Sequence, residues 1–243
     1  MTSSRSIFAG VMLTLASMAV QAETAAAAPA PPVGWQGKGE AGIVFARGNT
    51  VADTVNLKLG MSEVVEQWKH SLEMAALRAT SNHIKSADRY MAGWQSDYQL
   101  NTRTFWFGAL RYENDKFSGF DYQSSASTGL GYKFYDTDKI KLSGQAGVGY
   151  RRFKETLSGD SRGDAILVAG MDYENRLTAS TRVVDKFHAE MGSNNTLLAN
   201  FVGIEVKMSD ALALSVGLDV RDNTKSPNKK VDTVSTVNLV FAF

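Results

Sequence analysis

The chain has 243 residues, of which 44% are hydrophobic and none is cysteine, and its formal net charge is +1. The balance of 26 basic and 25 acidic residues, with no basic stripe, excludes an electrostatic nucleic-acid-binding surface. The mean hydropathy of −0.19, with no later segment approaching a spanning helix, excludes a helical membrane protein. It does not exclude a membrane barrel, because half of each barrel strand faces the lumen.

Residues 1–22 have the organisation of a secretory signal peptide. Arg5 precedes a run of small and apolar residues from 7 to 20, and small residues up to Ala22 suit signal peptidase. The run is shorter and richer in Ala and Ser than a membrane-spanning helix. We therefore expect cleavage after Ala22, without a lipoprotein anchor because no cysteine follows. Residues 23–33, mostly Ala and Pro, are expected to form a flexible leader.

Residues 34–243 are expected to form one unit built from strands that cross a bilayer at a tilt. Segments of alternating polarity repeat along it, separated by turn-rich stretches. The mature chain, from residue 23 onward, lacks Arg5 and has 25 basic and 25 acidic residues, so its net charge is zero. The twelve segments lie near residues 34–46, 51–61, 66–78, 88–100, 103–114, 121–135, 139–153, 164–177, 181–191, 195–207, 211–222 and 231–243.

Alternation is clearest in the eleventh segment, where every second residue is apolar and the residues between are small or polar. Its apolar face consists of Leu212, Leu214, Val216, Leu218 and Val220. Because nearly every segment has the same one-sided pattern, a closed barrel is favoured over a soluble sandwich, which needs two facing sheets and protected edges. We predict an all-β, antiparallel transmembrane β-barrel of about twelve strands, with ten or fourteen as alternatives.

The last segment carries a further signal. Val237, Leu239, Phe241 and Phe243 share one face, and the sequence stops on the aromatic residue. The pattern resembles the carboxyl-terminal signal that outer-membrane barrels show to their assembly machinery. It predicts that these four residues are recognised during barrel assembly.

Connections between segments alternate in length over much of the chain. Those at 101–103, 136–138, 178–181 and 209–210 are short, whereas those at 79–87, 113–120, 154–163 and 221–230 are longer. This is typical of tight periplasmic turns and longer outside loops. An even strand number places both termini in the periplasm. The connections at 47–50 and 192–194 are shorter, and that at 61–66 longer, than this scheme expects.

Aromatic residues fall near the predicted membrane interfaces, where amphipathic rings suit the headgroup layer. Two girdles are expected from Trp35, Trp68, Tyr90, Trp94, Tyr98, Trp106, Tyr112, Tyr132, Tyr150 and Tyr173.

Four stretches carry a family resemblance: SADRYMAGWQSDYQL at 86–100, RYENDKFSGFDYQ at 111–123, GLGYKF at 129–134 and VDTVSTVNLVFAF at 231–243. Together they resemble a family of bacterial outer-membrane proteins labelled salt-induced, which carry a domain of unknown function. The resemblance covers nearly all of the mature chain. It implies a Gram-negative outer-membrane barrel with a link to envelope stress, and it supplies no catalytic residues.

Strand parity assigns a balanced set of charges to the lumen. Twelve strands lie between small barrels filled by side chains and large water-filled porins. A dense set of paired ions is expected to narrow the bore, which leaves a narrow passive channel and a fully plugged barrel as alternatives. The sixteen residues are Glu40, Lys58, Glu73, Asp97, Arg111, Lys133, Lys141, Arg151, Asp172, Glu174, Arg176, Lys186, Glu190, Glu205, Asp219 and Arg221.

A barrel-embedded hydrolase, phospholipase-like or protease-like, is the alternative to a non-enzymatic barrel. Its histidine candidates are His70 at the lipid interface, His83 in an outside loop and His188 in the lumen. None lies in a nucleophile motif, although a triad can assemble across strands. We predict no catalytic, cofactor-binding or metal-binding residues.

Two outside loops suggest ligands. Residues 113–121 mix acids with Phe117 and Phe120, which suits either a calcium ion or packing of both rings into the barrel mouth. Lys225, Lys229 and Lys230 are placed to meet lipopolysaccharide phosphates, or are simply solvated. The expected partners are outer-membrane lipid and lipopolysaccharide, the barrel assembly machinery and periplasmic chaperones, with no nucleic acid.

Overall fold

A computed structural model describes residues 34–46, 52–82, 84–224 and 231–243. The predicted signal peptide with its Ala22 site, the leader, His83 and the lysines at 225–230 lie outside the described residues. The twelve strands are β1 (Gln36–Ala46), β2 (Ala52–Val65), β3 (Trp68–Ser81), β4 (Ile84–Gln99), β5 (Thr104–Asp115), β6 (Phe120–Asp136), β7 (Ile140–Glu155), β8 (Ser161–Arg176), β9 (Thr181–Gly192), β10 (Thr196–Lys207), β11 (Leu212–Asn223) and β12 (Val231–Ala242).

Each strand pairs antiparallel with its neighbours in sequence, and β12 pairs with β1 to close the barrel. The closing register runs from Lys38 opposite Ala242 to Ala41 opposite Leu239. Two further backbone hydrogen bonds join Gly37 and Phe243 at 2.9 and 3.0 Å. The predicted antiparallel all-β barrel of twelve strands is confirmed. No described residue belongs to a helix long and apolar enough to cross a membrane.

The barrel has two distinct ends. The terminal end carries Gln36 and Ala242 together with the connections at 66–67, 100–103, 137–139, 177–180 and 208–211. The far end carries the other six connections, which link β1 to β2, β3 to β4 and so on round the barrel. Any two strands six positions apart in this closed order stand on opposite walls of the lumen.

The far-end loops predicted at 79–87, 113–120 and 154–163 are wrong in extent, because the flanking strands continue into them. β3 runs to Ser81 and β4 begins at Ile84, with a register shift after Ala79 and a positive φ of 50° at Asn82. Polar residues in these stretches resemble turn sequences, but their backbone groups pair equally well as hairpin extensions. The predicted connection at 61–66 fails likewise, since β2 runs to Val65.

Residues of opposite parity face outward and inward along every strand. The outward face is strongly apolar, with large side chains left exposed on the isolated chain. Examples are Leu57, Leu110, Leu130, Val148, Leu167, Ile204, Leu218 and Leu239. The protein therefore has its apolar surface outside and its charged surface inside, the reverse of a water-soluble domain.

The four tryptophans of the chain gather on one wall, near the terminal end. Trp68 lies 4.9 Å from Tyr98 and 6.2 Å from Trp106, measured between ring centroids. Trp94 lies 6.0 Å from Trp35. The predicted girdle residues are thus unevenly distributed, because tryptophan is confined to one wall and the exposed tyrosines lie on β4 to β7.

Candidate functional site: the barrel lumen

All sixteen charged residues assigned to the lumen by parity lie on the inward face of the barrel. The register places Glu40 opposite Lys58 and Lys141 opposite Glu174, for example. Further charged residues lie on that face although they are absent from the predicted set: Lys38, Lys69, Arg89, Glu113, Asp164 and Arg182. Parity was the signal that could have found Glu113, which follows Arg111 by two residues on the same strand.

A wide cavity of about 780 Å³ occupies the lumen from the terminal end inward. We call it the vestibule. Glu66, Gln67 and Asp136 lie at its mouth, and Arg111, Asp219 and Arg221 lie at its inner limit. Seven more of the sixteen predicted lumen residues lie between the mouth and the inner limit, and they carry charges of both signs: Glu73, Asp97, Lys133, Lys141, Asp172, Glu174 and Lys186. Ser143 and Gln145 are their polar neighbours.

A salt bridge crosses the vestibule at mid-depth. Lys186 Nζ lies 2.9 Å from Glu73 Oε1, and these residues belong to β9 and β3, on opposite walls. Their side chains remain 52% and 54% exposed. The pair therefore spans open space without filling it.

A second contact crosses the lumen nearer the far end. Arg221 of β11 donates to Glu113 Oε1 of β5, again from the opposite wall. Arg111 Nη2 lies 2.5 Å from the other carboxylate oxygen, Oε2. Only 3% of the Glu113 side chain is exposed. One carboxylate is therefore clamped between two guanidinium groups, which compensates its removal from water.

A buried ion cluster continues this layer on the adjoining wall. Arg151, only 1% exposed, lies 3.3 Å from Asp164 and 3.6 Å from Glu190. Its Nη2 also donates to the backbone oxygen of Asn195 at 2.5 Å. Because Arg151 reaches two strands and one connection, it ties β7, β8, β9 and the far-end turn together.

Apolar side chains complete the closure. Phe120 packs edge-on against Phe153, with ring centroids 5.1 Å apart, and Ile166 and Leu197 are buried beside the ions. One void in this layer, lined by Glu113, Arg151 and Glu190, measures about 10 Å³, which is room for one water at most. We call this layer the plug; it comprises Glu113, Phe120, Arg151, Phe153, Asp164, Ile166, Glu190, Leu197 and Arg221.

The wall below the plug is thickened by aromatic rings that need glycine opposite them. Phe107 is fully buried, and a Cβ at Gly129 would meet its ring at 2.8 Å. A reciprocal pair of amides, Gln95 with Gln145 at 3.0 and 3.3 Å, joins β4 to β7 over the intervening strands. The lumen therefore narrows from the terminal end towards the plug.

The lumenal histidine candidate does not form a catalytic relay. His188 Nε2 lies 3.2 Å from Glu190 Oε1, and Ser125 Oγ donates to that same oxygen at 2.9 Å. A nucleophile triad instead needs the histidine between the hydroxyl and the carboxylate. His70 faces outward between Trp68 and Trp94 and contacts Ser96 Oγ at 2.9 Å.

The calcium interpretation of residues 113–121 is not supported. Glu113 is held by Arg111 and Arg221, and Asp115 Oδ1 accepts the backbone N–H of Phe117 at 2.9 Å. Within the described ranges no group of three or more acidic, His or Cys side chains is placed to hold a metal ion. Phe120 packs inward, whereas Phe117 is half-buried.

Known proteins show similarity at two levels. The uncharacterized protein YdiY of Escherichia coli (strain K12) is 22% identical over 211 residues, which cover 86% of this chain and 83% of that protein. Among solved structures, the translocator domain of autotransporter NalP from Neisseria meningitidis has 11% identity and a TM-score of 0.47, over 88% of this chain and 90% of that one. The NanC porin has 14% identity and a TM-score of 0.47, over 86% and 98%.

A family profile covers far more of the sequence than any short motif. The profile described as "Protein of unknown function, DUF481" matches residues 39–243, which include all of β2 to β12 and most of β1. The chain belongs to the DUF481 family.

Proposed function

We propose that this protein is a bacterial outer-membrane β-barrel, with its apolar wall in lipid and its termini in the periplasm. Its apolar exterior supports this placement, since exposing such a wall to water is costly. β3 gives the dimensions: outward-facing Trp68 and Arg78 are ten residues apart. At about 3.4 Å per residue and a tilt of about 40°, they differ in depth by about 26 Å. A lipid-facing apolar band is about 25 Å tall.

Within that membrane, the proposed role is a narrow passive, non-enzymatic channel whose bore is closed at rest by the plug. The observation that carries this proposal is the Glu113–Arg221 contact, which crosses the lumen between the 780 Å³ vestibule and the far end. The plug consists of side chains from strands. Passage of a small solute therefore requires only that these side chains separate.

Conductance of the refolded protein in planar bilayers tests the proposal. Wild type is expected to show small or rare openings. The double variant Glu113→Ser with Arg221→Ser removes the crossing pair without changing net charge, and its conductance is expected to rise severalfold. The matched control, Glu73→Ser with Lys186→Ser, removes the vestibule pair and is expected to leave conductance unchanged, because the plug still limits flow.

Two results would contradict a closed bore. Wild type with large, stable, porin-like openings would mean that the plug does not form. Equal conductance in both double variants and wild type would mean that the Glu113–Arg221 contact does not control passage.

The family resemblance supports a further proposal, that the protein is produced in response to salt or envelope stress. The amount of protein in purified outer membranes is then expected to be higher after growth at high salt than at low salt. Equal amounts at matched growth rates would contradict the stress link.

We also propose that Val237, Leu239, Phe241 and Phe243 are read by the barrel assembly machinery after periplasmic chaperones deliver the chain. All four are exposed, and Phe241 stacks on Phe243 with ring centroids 6.5 Å apart. Replacing Phe241 and Phe243 by Ser is expected to lower the folded amount in the outer membrane. An unchanged amount would contradict recognition of this strand.

A further inference from the structure

The outer wall of the barrel is concave at one place. A groove of about 560 Å³ crosses the outward face of β12 and of β1 to β5. Its floor is made by the small residues Gly39, Ala41, Ala76 and Ala92. Its sides are made by larger ones: Leu57, Leu59, Met74, Tyr90, Tyr112, Leu239 and Phe241.

Strand register explains the groove. Ala41 lies between Leu57 and Leu239 in neighbouring strands, and Ala76 lies between Leu57 and Tyr90. Large and small side chains thus alternate across the wall, and each small one leaves a hollow between its large neighbours. The lining is almost wholly apolar, which suits a hydrocarbon chain.

Cationic side chains stand at the far-end limit of the groove. Arg78 follows Ala76 by two residues on the same face of β3, about 7 Å further along the strand. Its register partner is Asp88, but the Asp88 carboxylate lies 3.4 Å from Lys85 Nζ and 3.3 Å from Lys116 Nζ. Among the residues that the structure describes, no ion pair involves the exposed Arg78 guanidinium.

The other limit of the groove is fixed by the tryptophan wall. Trp94 follows Ala92 by two residues on the same face of β4 and lies nearer the terminal end. Because indole rings favour the headgroup layer, this wall is held at a defined depth. The groove then lies in the hydrocarbon layer, with Arg78 at the level of headgroups.

We propose that the groove binds an acyl chain of an outer-leaflet glycolipid, lipopolysaccharide, whose phosphate pairs with Arg78. The proposal rests on the membrane placement given above, which puts the far end outside the cell. A guanidinium recognises a phosphate through two parallel hydrogen bonds, and an acyl chain fills an apolar channel that a convex second barrel would leave empty. The site therefore takes a phosphorylated, multiply acylated lipid.

Native mass spectrometry of the refolded full chain in detergent micelles tests this site, with bis-phosphorylated lipid A as the probe. Ala76→Phe fills the groove and Arg78→Gln removes the cation, and each is expected to weaken binding about tenfold or more. Ala146→Phe and Arg152→Gln are matched controls, because both residues face outward on β7, away from the groove. Both controls are expected to bind as wild type does.

The lipid arms separate the possible sources of the ligand. Dephosphorylated lipid A is expected to bind more weakly to wild type and equally weakly to Arg78→Gln. Phosphatidylglycerol is expected to bind wild type more weakly than lipid A. Equal binding of phosphatidylglycerol and lipid A would overturn the choice of glycolipid, and unchanged binding by both groove variants would overturn the site.

A second copy of the protein bound in the groove, instead of a lipid, would give a different result. A dimer that disappears in Ala76→Phe but persists in Ala146→Phe would show that a second copy covers the groove, and would overturn the lipid site. Heat-dependent migration in gels checks that every variant is folded. Fractionation of cells tests the membrane placement separately, so failure of the lipid site leaves the proposed channel intact.

Discussion

Glu113 and Glu73 occupy the same inward face of one barrel, and each meets a cation from the opposite wall. Glu113 is 3% exposed and is clamped by Arg221 and Arg111. Glu73 is 54% exposed and meets Lys186 alone across the vestibule. A carboxylate in the plug has lost its water, whereas one in the vestibule has kept much of it.

The difference shows that the position of an ion pair along the bore decides how much the pair stabilises the barrel. In the plug, removing one partner leaves the other charge unpaired in a site without water. In the vestibule, water replaces the lost partner, and the pair contributes little. Closure of the bore and stability of the barrel therefore depend on the same few plug residues.

The largest expected effect is on stability, from Glu113→Gln. Gln preserves the shape but leaves Arg221 and Arg111 without their anion, so we expect a loss of about 3 kcal/mol in the free energy of unfolding. Urea titration followed by tryptophan fluorescence measures it, since the four tryptophans lie together on the outer wall. If Glu113→Gln lowers the free energy of unfolding no more than Glu73→Gln does, ion pairs in the plug and in the vestibule stabilise the barrel equally, and the comparison fails.

Thiol labelling sharpens the comparison in terms of access. The chain has no cysteine, so single substitutions have no background. Ser143→Cys places a thiol in the vestibule, and Gln123→Cys places one in the plug layer opposite Glu113. A charged, membrane-impermeant reagent is expected to label the vestibule thiol at least about tenfold faster, because access limits thiolate reactivity.

Ser158→Cys, exposed in the connection between β7 and β8, is the control for labelling from the far end. It is expected to react from that side only. Equal rates for Ser143→Cys and Gln123→Cys would contradict a closed plug.

The smallest expected effect comes from Glu73→Gln. Because both side chains of the Glu73–Lys186 pair are about half exposed, we expect a loss below about 1 kcal/mol. The same urea titration measures it. A loss comparable to that of Glu113→Gln would show that the vestibule is dry and that this pair supports the barrel.

The number of strands, and the face of the barrel on which each side chain lies, could be predicted from the sequence because both depend on local periodicity. The alternation around Leu214, Val216 and Leu218 persists over a whole strand, and a period of two leaves no choice about which residues share a face. Hairpin ends were less accessible. Residues 79–87 have turn-like composition, yet most of them pair across the β3–β4 hairpin. Backbone hydrogen bonds between the two strands form whether the side chains are polar or apolar.

The lumen partners were not accessible. Parity places Arg221 and Lys186 inside the barrel, but which carboxylate each one meets depends on closure, tilt and the opposite wall. Glu113 and Arg221 are 108 positions apart in the chain. Glu113 was also assigned to a loop, because Glu-Asn-Asp resembles the start of a turn. The plug was therefore missed as a unit, although several of its charges were assigned to the lumen.

Closure by strand-borne side chains, instead of by a folded-in loop, has an evolutionary consequence. A barrel whose bore is closed by an inserted segment must lose or relocate that segment before solutes can pass. Under the proposed channel role, substitution of plug side chains such as Glu113 and Arg221 together would open the bore without removing any backbone segment. Permeability would then change by substitution alone, with the barrel backbone kept as it is.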